Sequence, residues 1–495
     1  MKIVLIILVT TFAFSSCQNI SSRKLASINN IFSEYQDLEC SPEVKISCSG
    51  LFQVHEKEDI KIGLLINGEA SLAARLKSLR DAKKSILIQA LVFKADEIGN
   101  YIAKILVEKK KAGLDVRLII DTFSNMDVAT QNLFYELKLA GIEVEGYETA
   151  YLGWVNEVTP KDIKQPNKRF HDKLWLIDSH DEINRVAIVG GMNIANEYFR
   201  LGTTSEKIWR DQDFIVKGNI IDDMTTVFER NYKDQKDIKA KHWINTDKTW
   251  AIWRKTIGQK FRNKYLQIKG DKNIIKKITK IETDTANIEF SMFPSKSQFF
   301  QNRPRNAETY IQQIYKRSFA HAKNKIFLVN AYFIPNQELI DSLKYAAKNG
   351  SEVIIVTNSP ETNDLPEMSY ASRYTYKDLL SVNNDPNTLG SLKIYEWQGH
   401  QYGEGTIHAK FAVIDDHTVI GGSYNLDPRS EKLNSETILV FENEILAKKL
   451  SSFVINNDIR KSRLISTEEA ATYFNPKNPP DALKLLFWNG IKGML

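Results

Sequence analysis

Beyond Ile3 to Val9, the 495-residue chain has no apolar run approaching the ~18 residues that a membrane-spanning helix needs, so a polytopic membrane protein is excluded. Its 13 Pro and 23 Gly are too few for a collagen-like or low-complexity chain. With 42% hydrophobic and 26% charged residues it can fill large cores, which excludes disorder. Three cysteines cannot build a disulfide scaffold, and a net charge of +6 over this length does not by itself indicate nucleic-acid binding. What is present is length, enough for two to four domains at roughly 100 to 200 residues each.

Residues 1–16 read as a short secretory signal: one positive charge at Lys2, the apolar stretch Ile3 to Val9, then small residues ending at Ser15-Ser16-Cys17. The ending resembles a bacterial lipobox, with Phe14 where Leu is usual. It implies diacylation of Cys17 and anchoring in the cell envelope, on the periplasmic side of a membrane. An ordinary cleaved signal and an uncleaved anchor are the alternatives. Cys40 and Cys48 lie eight apart in a polar, turn-rich stretch, where a disulfide would close a small loop in an oxidising compartment; two unpaired surface thiols are the other reading.

An internal repeat decides the architecture. Ser85 to Phe93 reads as a buried strand, Ile98 to Lys111 as a helix and Gly113 to Asp121 as a second strand. Lys325 to Phe333, Glu338 to Ala347 and Gly350 to Asn358 repeat the pattern, so parallel pairing with helices outside is expected in both halves. Each half then carries one polar motif: His171-Asp172-Lys173 followed by Asp178, and His408-Ala409-Lys410 followed by Asp415, both H-x-K-x-x-x-x-D. The shift is 237 from Gly113 to Gly350 and again from His171 to His408. It falls to 232 where Gly190-Gly191-Met192-Asn193 pairs with Gly422-Ser423-Tyr424-Asn425, which puts five extra residues in a longer turn around Ser179 to Asn184.

These paired motifs, each followed by G-S/G-x-N, resemble the phospholipase D superfamily. The contexts Gly190 to Phe199, Thr357 to Asp364 and Asn425 to Glu436 look like its bacterial cardiolipin synthase branch without spanning helices. The resemblance covers about Ile66 to Leu450. It implies two similar α/β halves related by a pseudo-two-fold axis, one active site between them, phospholipid substrates, and neither cofactor nor metal. It also implies that Glu436 orients the histidine of the second half and Asp211, in Trp209-Arg210-Asp211, that of the first. By the same resemblance His171 is the nucleophile and His408 the general acid, then base.

The residues taken alone give a compatible chemistry. On a strand, i and i+2 share a face, so His171 points with Lys173 and His408 with Lys410. Asp178 and Asp415, at i+7, read as ligands of backbone or a cation rather than as catalytic bases. The small pairs Gly190-Gly191 and Gly422-Ser423 permit close backbone approach and leave Asn193 and Asn425 as amide donors. Two imidazoles can attack phosphorus and protonate the leaving alcohol, while ammonium and amide groups hold the phosphoryl oxygens.

Between the halves, Lys239 to Lys280 carries thirteen Lys or Arg and two acids, interleaved with Trp243, Trp250, Trp253, Phe261 and Tyr265. It suits an anionic bilayer, could bind nucleic-acid phosphates, or is a solvated connector. The expected layout is a signal at 1–16, an N-terminal extension at 17–60, halves at 61–235 and 301–460, a basic connector at 236–300 and a tail at 461–495, with the apolar stretch Ala482 to Trp488 docked or membrane-facing. The leading function is phosphatidyl transfer to phosphatidylglycerol. Phospholipid hydrolysis is second and a nuclease third, nucleic acid being disfavoured by the lipobox and the synthase-like contexts.

Overall fold

The computed structural model describes residues 53–121, 123–125, 127–146, 169–241, 270–303 and 308–473. The signal, Cys17, Cys40, Cys48, connector residues 242–269 and the stretch Ala482 to Trp488 lie outside these. The first half runs β1 (Ile60–Ile66), α1 (Asn67–Asp81), β2 (Ser85–Ala90), α2 (Glu97–Lys111), β3 (Asp115–Ile120), α3 (Val128–Leu139), β4 (Glu143–Glu145), β5 (Leu174–Ile177), β6 (Val186–Gly190), β7 (Gln212–Gly218) and α4 (Ile220–Lys241). Then come α5 (Lys272–Thr285), β8 (Phe293–Pro294), β9 (Lys296–Asn302), α6 (Ile311–His321), β10 (Lys325–Asn330), α7 (Gln337–Lys348), β11 (Glu352–Asn358) and α8 (Pro366–Leu380). The chain continues through β12 (Ser391–Trp397), β13 (Lys410–Ile414), β14 (Thr418–Gly422), α9 (Pro428–Lys432), β15 (Glu436–Glu442), α10 (Glu444–Phe453), β16 (Ser462–Ile465) and α11 (Thr467–Thr472).

The strands form two eight-stranded sheets, ordered β4-β3-β2-β5-β6-β7-β1-β8 and β16-β12-β11-β10-β13-β14-β15-β9. The repeated strand-helix-strand units pair in parallel, β2 with β3 and β10 with β11, as their hydrophobic pattern requires. The motif strands β5 and β13 add to them antiparallel, making each sheet mixed. Eight residues join β5 to β6 and three join β13 to β14, so the expected five-residue insertion is this turn.

Alternation along each strand sends side chains to both faces. In the first sheet Leu87, Leu174, Leu176 and Phe214 enter a core shared with the second half, while Ile86, Ile88, Trp175 and Ile215 pack under the outer helices. Phe214 meets Phe441 of the other sheet edge to face, ring centres 5.5 Å apart. The shared core joins the facing sides of the two sheets, and this fixes the relative placement of the halves.

The segment between the halves is partly built into both. β8 extends the first sheet and β9 the second, and α5 packs Ile274 and Ile278 into the core of the first half. Lys272, Lys276, Lys277 and Lys280 of α5 are exposed, with Lys277 paired to Glu69. The first residues of the tail are likewise structural, since β16 completes the second sheet beside β12.

Candidate active site

Each histidine lies just ahead of its strand rather than within it, because β5 opens at Leu174 and β13 at Lys410. The backbone there pairs with the opposite half. His171 N–H donates to the Ser435 carbonyl at 2.9 Å and Ser435 N–H to the Arg169 carbonyl at 2.9 Å. On the other side His408 N–H donates to the Arg210 carbonyl at 2.6 Å and Arg210 N–H to the Thr406 carbonyl at 2.9 Å. Two such bridges stitch the halves together at the point where both motifs begin. The four motif side chains are buried there and act on one another electrostatically.

The orienting carboxylates are crossed, which corrects the sequence-based pairing within each half. His171 Nδ1 is 2.8 Å from Glu436 Oε2 of the second half, and His408 Nδ1 is 2.7 Å from Asp211 Oδ2 of the first. Glu436 begins β15 and Asp211 immediately precedes β7, so each sits at the start of an interior strand and reaches a histidine of the other half. Ser423 and Ser430 also donate to Glu436, at 2.5 and 2.7 Å. Asp211 takes the Gln212 N–H at 2.7 Å. Where the second half has Ser423 the first has Gly191, and a Cβ there would lie 2.4 Å from Asp211 Oδ1. The glycine is required by that carboxylate.

Burial, then the two lysines, hold both imidazoles well below their ordinary value, so they are neutral at pH 7. Burial also lowers Lys173 to about 7 and Lys410 to about 8, and raises Glu436 to about 7. Lys173 Nζ donates to the His171 carbonyl at 2.7 Å, and Lys410 Nζ to the His408 carbonyl, with His408 Nε2 3.1 Å away. The two lysine amines that converge here can donate to an anion, whose charge would in turn favour their protonated forms.

Asp178 and Asp415 stand at the far ends of β5 and β13. Asp178 accepts the backbone N–H groups of Lys83, Lys84 and Ser85, and Asp415 those of Lys323, Asn324 and Lys325. Each fastens the start of the neighbouring strand from a left-handed backbone, φ 50° and 54°. This is the backbone-ligand role read from the i+7 spacing. Asn193 is committed at both ends, accepting from Val92 N–H at 3.1 Å and donating to Tyr198 Oη at 2.9 Å. Asn425 Oδ1 is buried and has no protein partner among the described residues.

Several neighbours were invisible in the motif. Tyr198, Trp209 and Tyr332 pack around His408, with ring centres 5.1, 5.4 and 6.4 Å from the imidazole. Asp172, which aligns with Ala409, is buried against Ser435 and Gln301, and burial raises it to about 7. Arg210 forms a fully buried pair with Asp458 across the halves at 3.0 Å. The signals in the sequence were the Asp172/Ala409 mismatch and the run Trp209-Arg210-Asp211. Among the described residues no cluster of His, Cys, Asp or Glu is arranged to hold a metal, and no helix is long and apolar enough to cross a membrane.

Residues 76–231 and 315–456 match a family described as cardiolipin synthase, PLD-like domain. Cardiolipin synthase 1 of Staphylococcus aureus (strain MRSA252) is 28% identical over 84% of this chain and 70% of its own. A probable cardiolipin synthase of Bacillus subtilis (strain 168) is 24% identical over 83% and 68%. Among solved structures, phosphatidylserine synthase of Haemophilus influenzae Rd KW20 superimposes with a TM-score of 0.58 at 17% identity, covering 92% of this chain and all of that one.

Proposed function

The chain belongs to the cardiolipin synthase, PLD-like domain family, and from that premise we propose that it passes a phosphatidyl group through a phosphohistidine to the hydroxyl of phosphatidylglycerol, giving cardiolipin. The observation that carries the reading is the crossed pair of carboxylate-held imidazoles in one inter-half site. Glu436 accepts the Nδ1 proton of His171, which leaves the Nε2 lone pair free to attack phosphorus. Lys173 and Lys410 offset the charge that accumulates on the phosphoryl oxygens.

A bound phosphodiester also cancels part of the ammonium field that suppresses His408, so that imidazole recovers a proton for the leaving alcohol. In the second step the acceptor hydroxyl forms its bond to phosphorus as the phosphorus–nitrogen bond to His171 breaks, and its proton passes to His408. Hydrolysis would use the same groups with water as acceptor. We further place the protein at a membrane surface, held by lipid on Cys17 and by the basic segment Lys239 to Lys280, on the strength of the sequence pattern alone.

Incubation of the purified protein with defined phospholipids, followed by mass spectrometry of all lipid products, tests the reading. Cardiolipin formed from phosphatidylglycerol supports it; phosphatidic acid as the sole product replaces it with hydrolysis.

A further inference from the structure

The run Thr357 to Asp364 spans the end of β11 and the loop leading to α8, and it holds the two residues that precede His408. β10 pairs with β13 only as far as Asn330 opposite Lys410, so the chain just ahead of β13 has no partner strand on that side. The fully buried Asn358 side chain takes that place. Its Oδ1 accepts the Ile407 N–H at 3.0 Å, and its Nδ2 donates to the Ile407 carbonyl at 2.8 Å and the Ala331 carbonyl at 3.0 Å. One N–H and two carbonyls leave the amide a single consistent orientation. Beside it the Thr362 carbonyl accepts from Thr406 Oγ1 at 2.8 Å, and Thr362 Oγ1 donates to the Trp397 carbonyl at 3.1 Å. At the end of the run Asp364 accepts from the Tyr332 hydroxyl at 2.8 and 2.9 Å, and the Tyr332 ring stands edge-on to His408.

We propose that Asn358 is a positioning residue for His408, fixing through the Ile407–His408 peptide the line along which the imidazole gives its proton to the leaving alcohol. The inference rests on the reading above, in which His408 is the general acid. That peptide unit is planar, so its rotation is set once both of its ends are bonded. The carbonyl end is held by Asn358 of the second half, and the N–H end by the Arg210 carbonyl of the first, 2.6 Å away. With the plane set, the Cα–Cβ bond of His408 has one direction, and Asp211 at Nδ1 fixes the turn of the ring about it. Nε2 then meets the leaving oxygen as the phosphorus–oxygen bond breaks, the bond from His171 to phosphorus forms and the proton moves to that oxygen. An error of about 1 Å in such a placement costs about 10²-fold. The first half lacks the same clasp. Its aligned residue is Asp121, a carboxylate that takes the Phe170 N–H but cannot donate to a carbonyl. An aspartate is thus accommodated at this point of the fold.

The test follows phosphohistidine formation in single turnovers of the full-length protein on two short-chain phosphatidyl donors. One has an alkyl alcohol as leaving group, the other p-nitrophenol, whose anion departs without a proton. Asn358→Asp keeps the acceptor for the Ile407 N–H and removes the donor to the Ile407 carbonyl. It is expected to slow the alkyl donor by about 10²-fold and the p-nitrophenyl donor by no more than about threefold. Both rates are taken on one preparation, so a partly folded sample does not move their ratio. Thr406→Val, which removes only the bond to the Thr362 carbonyl, should shift the ratio the same way by about threefold, and it decides the question if Asn358→Asp fails to fold. An unchanged ratio in Asn358→Asp, whatever the absolute rates, marks a merely structural role and overturns the inference. So does an unchanged ratio in Thr406→Val where that is the variant that folds. If His408→Ala itself slows both donors alike, the assignment of His408 as the acid falls, and this inference with it.

Discussion

Replacing Glu436 with Gln isolates the crossed contact with almost no change of shape. The carboxylate is fully buried and accepts from His171 Nδ1 at 2.8 Å, Ser423 Oγ at 2.5 Å and Ser430 Oγ at 2.7 Å. Ser423 and His171 share Oε2, whereas Ser430 alone meets Oε1. An amide whose oxygen faces His171 presents its NH₂ to Ser430, and that hydroxyl can turn from donor to acceptor. Folding should therefore be preserved. What is lost is the charge-assisted part of the hydrogen bond, about 1 to 2 kcal/mol, or roughly five- to thirtyfold in rate. In the opposite orientation the amide forces the wrong imidazole tautomer, which in a serine-protease triad costs about 10⁴ in kcat. The expected drop is therefore about five- to thirtyfold in the first orientation and up to about 10⁴ in the second. Rapid-quench kinetics on a short-chain phospholipid should show it in formation of the phosphohistidine, because in the proposed mechanism Glu436 serves the attacking residue. Asp211→Asn should instead slow the steps that need proton transfer by His408. If Glu436→Gln forms phosphoenzyme at the wild-type rate and delays only its breakdown, the roles of the two histidines are reversed.

Other outcomes follow from neighbouring contacts. Gly191→Ala should reduce turnover by at least about 10²-fold, since its Cβ would lie 2.4 Å from Asp211 Oδ1, while Ser423→Gly, which removes a donor to Glu436 and the acceptor of the Thr437 N–H, should cost nearer tenfold in kcat. Asp172→Asn should be neutral near pH 4 and stabilising near pH 8 in thermal unfolding. Burial raises Asp172 from 3.8 to about 7, so its contribution is complete below the unfolded value and is lost as pH rises through 7, by up to ~4 kcal/mol. Asp458→Ala should destabilise the fold by about 3 to 5 kcal/mol in urea by leaving the buried Arg210 guanidinium unpaired, and the double change Arg210→Met with Asp458→Leu should recover most of it.

Both halves could be read from the sequence because strand periodicity, short loops and the common shift of 237 are local properties repeated along the chain. The same regularity located His171, Lys173, His408 and Lys410, and the drop to 232 located the longer turn between β5 and β6. Strand spacing also gave Asp178 and Asp415 their place away from the imidazoles. Spacing could not reveal which carboxylate faces which histidine. Glu436 lies 265 residues from His171, and Asp211 lies 197 from His408. A pattern within one half places a residue at a strand end, but its partner is chosen by the apolar faces that drive the two sheets together. Phe214 against Phe441 and the backbone bridges at Ser435 and Arg210 belong to that packing. The tyrosines around His408, the Asp364 contact and the Arg210–Asp458 pair arise in the same way, from loops and helix ends that meet only once the shared core has closed.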